Sequence, residues 1–174
     1  MSRSENKILG KNAAIMIIKV LKSAYCDEMR IFHYFWYAGI NMEGIGLVTY
    51  AAALKTQAAG ELIHAELLAD DRIAEHGDKA PSDPAEWAKY SMIGPPDDPA
   101  KHLALRAALD RALKFEGKAV ENYNNNYNNN NNLAKQALSL GDSVPYNLAT
   151  TILADEVNYE QHAEEYILKS LEVK

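Results

Sequence analysis

The sequence is poor in features that define several large protein classes. One cysteine, Cys26, in 174 residues excludes an internal disulfide framework and fits a reducing compartment. No apolar run reaches membrane length. The first, Ala13 to Ile18, stops at Lys19, too short for a span and poorly placed for a secretory signal. Positive charge is also scarce. The formal charge is -6, which argues against general binding to nucleic acid or anionic membranes. Arg3, Lys7 and Lys11 are too sparse, and too well offset by Glu5, to form a basic tail. Proline is nearly confined to residues 81–99, with Pro145 the exception, so most of the chain carries no helix breaker. What remains is 48% hydrophobic residues in a chain long enough for one domain, residues 1–174, with a real core. A soluble, cytoplasmic protein is expected.

Apolar spacing predicts four long helices. The first covers about Asn6 to Ile40, where Ala14, Ile17, Ile18, Leu21, Ala24, Tyr25, Ile31, Phe32 and Phe35 form one stripe. Gly39 and Asn41 read as stop and restart signals. The second helix is expected over Glu43 to Glu75, antiparallel to the first because the connection is short. Residues 76–100 break the pattern, and within them Asp83 to Tyr90 reads as a short helix with Asp83 as its cap and Pro84 in the first turn. So long a connection lets the third helix run parallel to the second. The third is expected from Pro99 or Ala100 to Leu140. It passes through the asparagine-rich run Asn122 to Asn132, where Tyr123 and Tyr127 keep helical spacing. Gly141 to Pro145 closes it and caps a fourth helix over Pro145 to Leu171.

Each of these helices places an acid on its apolar face: Glu28, Glu61, Glu116 and Glu156. His64 stands three residues after Glu61, so both side chains can reach one ion. Glu116 is preferred to Glu121, which lies with Lys114, Lys118 and Asn125 on a polar face. Three residues after Glu156, where a second Glu-x-x-His would place its histidine, stands Tyr159. Glu160 remains an alternative carboxylate. His162, about 120° away on an ideal helix, reads as structural. Four buried carboxylates without a cation would crowd and desolvate one another. Two divalent ions resolve this, and oxygen-rich ligation with one imidazole suits iron or manganese.

The residues Glu28, Glu61-Leu62-Ile63-His64-Ala65-Glu66, Glu116 to Tyr123 and Asp155 to Glu160 resemble the ferritin-like superfamily. The resemblance covers about residues 6 to 172. It implies an all-α, ferritin-like four-helix bundle whose long crossover contains a short helix. It is strongest to Dps-like miniferritins with a bacterioferritin-type site inside each subunit. What it implies is an oxidoreductase, a di-iron ferroxidase, with Glu28, Glu61, His64, Glu116 and Glu156 as catalytic residues. Those five and Tyr159 would be the metal ligands. Two irons per subunit are expected, with manganese as an option. Tyr159 replaces the fourth-helix histidine of bacterioferritin-type sites, and Leu62 stands where bacterioferritins often carry a haem-ligating methionine, so no haem is expected. The expected partners are Fe(II), peroxide or dioxygen, and other copies of the chain, with a dodecameric shell favoured over a dimer. The resemblance thus implies iron storage and a role in oxidative stress. Tyr25, Tyr123 or Tyr159 could donate an electron during peroxide turnover. Two other readings stand beside this one: a di-metal peroxidase or manganese catalase-like enzyme without storage, and a metal-free bundle with hydrogen-bonded acids.

Overall fold

The computed structural model describes residues 11–42, 47–93, 98, 100, 104–124, 132–157 and 169. The proline-free first stretch forms α1, Lys11–Asn41. Its stripe of Ile17, Leu21, Ala24, Ile31, Phe35 and Ala38 is buried, and it packs along α2, Leu47–Leu68, through Leu54, Ala58, Ala65 and Leu68. Helical spacing puts these residues on one face of each helix, and burying that face is what holds the pair together.

Gly39 does not stop α1, which runs two residues further. Its role is close approach. A Cβ there would stand 2.9 Å from Lys55 Cγ and 3.1 Å from the Ala51 carbonyl oxygen.

The expected second helix also changes winding before its end. Ala69–Ile73 is a π-helical turn, with Ala74 N donating to the Ala69 carbonyl at 3.0 Å and Asp78 N to the Ile73 carbonyl at 3.2 Å. Such wide turns occur mostly as single insertions in α-helices, frequently beside functional positions. Gly77, at φ 79°, then turns the chain away in the left-handed region that glycine favours.

The crossover carries α3, Pro84–Tyr90, as the sequence predicts. Asp83 Oδ1 accepts from the amides of Ala85 at 2.9 Å and Glu86 at 3.1 Å, and Pro84 fills the first helical position. Past α3, the chain is pinned to α1 by Asp27. Its Oδ1 accepts from Ser91 Oγ at 2.5 Å, Met92 N at 2.7 Å and Ile93 N at 3.2 Å.

The expected continuous third helix is two helices. α4, Leu105–Tyr123, ends at Asn124 and α5, Leu133–Leu140, begins after Asn132, both boundary residues having extended backbones. Asparagine is a poor helix former and a good cap, and here capping wins. Tyr127 lies outside the described residues. Gly141, at φ 73°, ends α5, and Asp142 caps α6, Ser143–Asp155, by accepting from Val144 N at 3.3 Å. Winding widens again at Glu156 and Val157. Where the expected fourth helix continues to Leu171, only residue 169 is described.

At the centre, the Tyr34 and Phe115 rings meet edge to face at 5.0 Å, joining α1 to α4. No helix among the described residues is long and apolar enough to cross a membrane. The close approach at Gly39 makes a test. Gly39→Val should lower unfolding free energy by about 1–3 kcal/mol through overpacking, read as a lower urea midpoint with an unchanged slope.

Candidate metal centre

Helical spacing along α1, α2, α4 and the end of α6 brings the predicted acids inward. Glu28, Glu61, Glu116 and Glu156 are all completely buried, and His64 is 5% exposed. One ligand atom each from Glu28, Glu61, His64 and Glu156 lies within 4.8 Å of the others. That is the span a single cation can bridge. Imidazole Nδ1 faces the cluster, 3.5 Å from Glu28 Oε2 and 3.5 Å from Glu156 Oε1. Its Nε2 points the other way, 3.6 Å from Asp155 Oδ2. A carboxylate behind the far nitrogen of a histidine fixes the ring's orientation and raises the basicity of the near one.

Glu116 lies outside this tight group, yet its charge acts on Glu61 from α4. Glu121, the rejected alternative, is half-buried and pairs with Lys118 at 2.5 Å. Tyr123 donates its hydroxyl hydrogen bond to Glu28 Oε1. Tyr25 is half-buried against the core. Tyr159, Glu160 and His162 lie outside the described residues.

The electrostatics are those of a crowded acid site. With every carboxylate ionised, neither oxygen of Glu61 and not Oε2 of Glu28 accepts a hydrogen bond. Burial, then repulsion by Glu156, Glu116 and Glu28, pushes the Glu61 carboxyl well above the usual range. Glu28 goes the other way. Burial would raise it, but the Glu61 carboxyl, the nearby His64 imidazole with its charge, and the Tyr123 hydroxyl hold it below its ordinary value. Without a cation, then, Glu61 keeps a proton and shares it with Glu28, and the pair titrates as a unit. Burial and the Glu28 charge push the Tyr123 phenol far up, so it stays a donor. A divalent ion bound here would take the place of the shared proton. Oxygen-rich donors with one imidazole fit iron or manganese, and the orphaned oxygens of Glu28 and Glu61 are where such ions would bind.

Two supports escaped the spacing argument. Asp155 was visible only as the neighbour of Glu156, since nothing in one helix's periodicity says that it meets His64 on another. Asp27 sits beside Glu28, pushed up to about 7 chiefly by burial, and no pattern marks it as the residue that pins the crossover. Cys26, buried with its thiol pushed up to about 12 by burial and the Asp27 charge, is inert.

This long crossover and this buried acid cluster define a class of all-α bundles with an acidic centre. The sequence profile of the ferritin-like domain matches residues 18–170, and the chain belongs to that family. Among solved structures it is similar to a bacterioferritin-related protein from Bacteroides fragilis, described as a dodecameric thioferritin (22% identity, TM-score 0.70, 92% of each chain covered). It is also similar to Dps from Thermosynechococcus elongatus, at 13% identity and TM-score 0.73 over 94% of each chain. A third is the DPS protein of Vibrio cholerae O1, described as a member of a superfamily of ferritin-like diiron-carboxylate proteins. There identity is 11% and TM-score 0.77, over 91% of this chain and 93% of that one. No curated protein matched the chain.

The raised Glu61 carboxyl sets a sign. An acid raised on folding must take up a proton, so its contribution to stability is present below its unfolded value of about 4.3 and is lost as pH rises above it. Metal-free Glu61→Gln should therefore be more stable than the parent at pH 7, by about 1–3 kcal/mol. The gain should shrink to nothing near pH 4, read as thermal midpoints in chelator-treated buffer.

Proposed function

We propose that the protein is a ferroxidase and iron-storage protein that binds Fe(II) at Glu28, Glu61, His64, Glu116 and Glu156. One observation carries this reading: a dry group of carboxylates from separate helices, with unsatisfied oxygens aimed at the same small volume as His64 Nδ1. Iron is substrate here. Each Fe(II) gives one electron to the oxidant, and peroxide, taking two electrons and two protons, leaves as water. The acids favour Fe(III), a harder ion, over Fe(II). Asp155, 3.6 Å from His64 Nε2, places negative charge behind the ligand ring. Tyr123 keeps one Glu28 oxygen occupied; of the two predicted tyrosines among the described residues it, and not Tyr25, bonds a site carboxylate.

Tyr159 is the sixth proposed ligand, by its offset of three from Glu156. A dodecameric, hollow shell is the assembly we favour, supported by likeness to a protein that is dodecameric. Oxidation within it would retain iron as mineral. We read the protein as cytoplasmic.

Anaerobic loading with Fe(II) should give two irons per subunit in the parent. In Glu61→Ala and His64→Ala, binding should weaken by about a hundredfold or more. Metal content and oxidation rate are measured together, with circular dichroism to confirm folding. After aerobic loading, iron retained in a high-mass fraction supports storage. Peroxide consumed with no iron retained would move the assignment to a di-metal peroxidase or catalase. No iron bound by the parent would overturn both.

A further inference from the structure

The asparagines of the run have no part in the reading above, yet Asn122 and Asn132, at its two ends, are both tied to residues beside the site. Asn122, in the last turn of α4, donates from Nδ2 to Asp27 Oδ2 at 2.7 Å. Asp27 Oδ1 is the atom that pins Ser91, Met92 and Ile93, so Asn122 ties α4 to α1 and to the crossover at once. Asn132, completely buried, works in two directions. Its Oδ1 accepts from Lys135 N at 2.9 Å, the ordinary capping bond for α5. Its Nδ2 donates back to the Glu121 carbonyl at 3.0 Å and to the Asn124 carbonyl. These two carbonyls flank Asn122 and Tyr123.

The last carbonyls of a helix have no donor within it. α4 ends without the left-handed glycine that closes α5, and Asn132 supplies the missing donors from across the break. The residue so held is the one whose hydroxyl bonds Glu28.

We propose that Asn132 is a positioning residue for the metal centre. By bonding the Glu121 and Asn124 carbonyls, and with Asn122 fixed on Asp27, it holds the last turn of α4 so that the Tyr123 hydroxyl stays on Glu28. This rests on the metal-binding reading. Its competitor is simple: Asn132 caps α5 and does nothing more.

Asn132→Asp separates the two, because aspartate keeps the capping oxygen and loses the donors to α4. Asn132→Ser keeps a capping oxygen without adding a charge and guards against a folding defect. Two readouts apply. Anaerobic Co(II) binding is followed by visible absorption, and the ring carbon bearing the Tyr123 hydroxyl is followed by carbon-13 NMR in metal-free protein, assigned with Tyr123→Phe. Both Asn132 variants should bind Co(II) about tenfold more weakly than the parent and should shift the Tyr123 resonance. In a Tyr123→Phe background the same substitutions should add no further loss, since contacts acting through one group are not additive. Parent-like affinity with an unmoved resonance would reduce Asn132 to a cap. Equal losses in both backgrounds would mark general loosening and overturn the proposal. If the parent bound no Co(II), the metal reading would fall, and the Tyr123 resonance would still decide whether Asn132 holds the last turn of α4.

Discussion

Everything near the centre of this bundle answers to one electrostatic problem: four carboxylates and one imidazole in a space closed to water. Ionised together they repel one another with little solvent to screen them. The metal-free chain relieves part of this by leaving a proton on Glu61, shared with Glu28. That is a compromise. Glu28 and Glu61 still hold oxygens with no donor when ionised, and a protein selected only for stability would replace them with leucine and glutamine. The acids therefore mark a place where stability gives way to function.

Holding that charge in register requires stiffness in the elements that bear it. α1 and α2, which carry Glu28 and Glu61, meet closely at Gly39. Asp27, one residue before Glu28, spends all its acceptor capacity on the crossover and on Asn122. The residue beside the site is thus structural, and the site residue itself is left free of structural duty on one oxygen. The π turns fall at Ala69–Ile73, after His64, and at Glu156. The second of them falls on a proposed ligand itself.

Much of this could be read from residue spacing. Period-3.6 stripes located α1, α2, α4 and the start of α6, and the acids that interrupted those stripes are the ones the structure buries together. Asp83-Pro84 located α3 because caps and first-turn prolines have local causes. What spacing could not show was tertiary. Gly39 looked like a stop because glycine disfavours helices, whereas here helix packing demands a residue without a Cβ. Tyr123 and Tyr127 suggested a continuous helix, and Asn132 overruled them by capping α5 and bonding carbonyls at the end of α4. Asp155 and Asp27 each act across helices, where one-dimensional periodicity is silent.

The hydrogen-bond inventory also divides the carboxylates by what they can offer. Glu28 has given Oε1 to Tyr123, whose phenol, pushed far up, will not release its proton to compete as an anion. Only Oε2, facing His64, remains for an ion. Once ionised, Glu61 has neither oxygen committed, and it is the acid on which the charges of Glu156, Glu116 and Glu28 all converge. In the proposed centre Glu61 would have both oxygens to offer a metal, whereas Glu28 would have one. The tyrosine enforces that asymmetry, because while its bond holds, Glu28 cannot turn both oxygens inward.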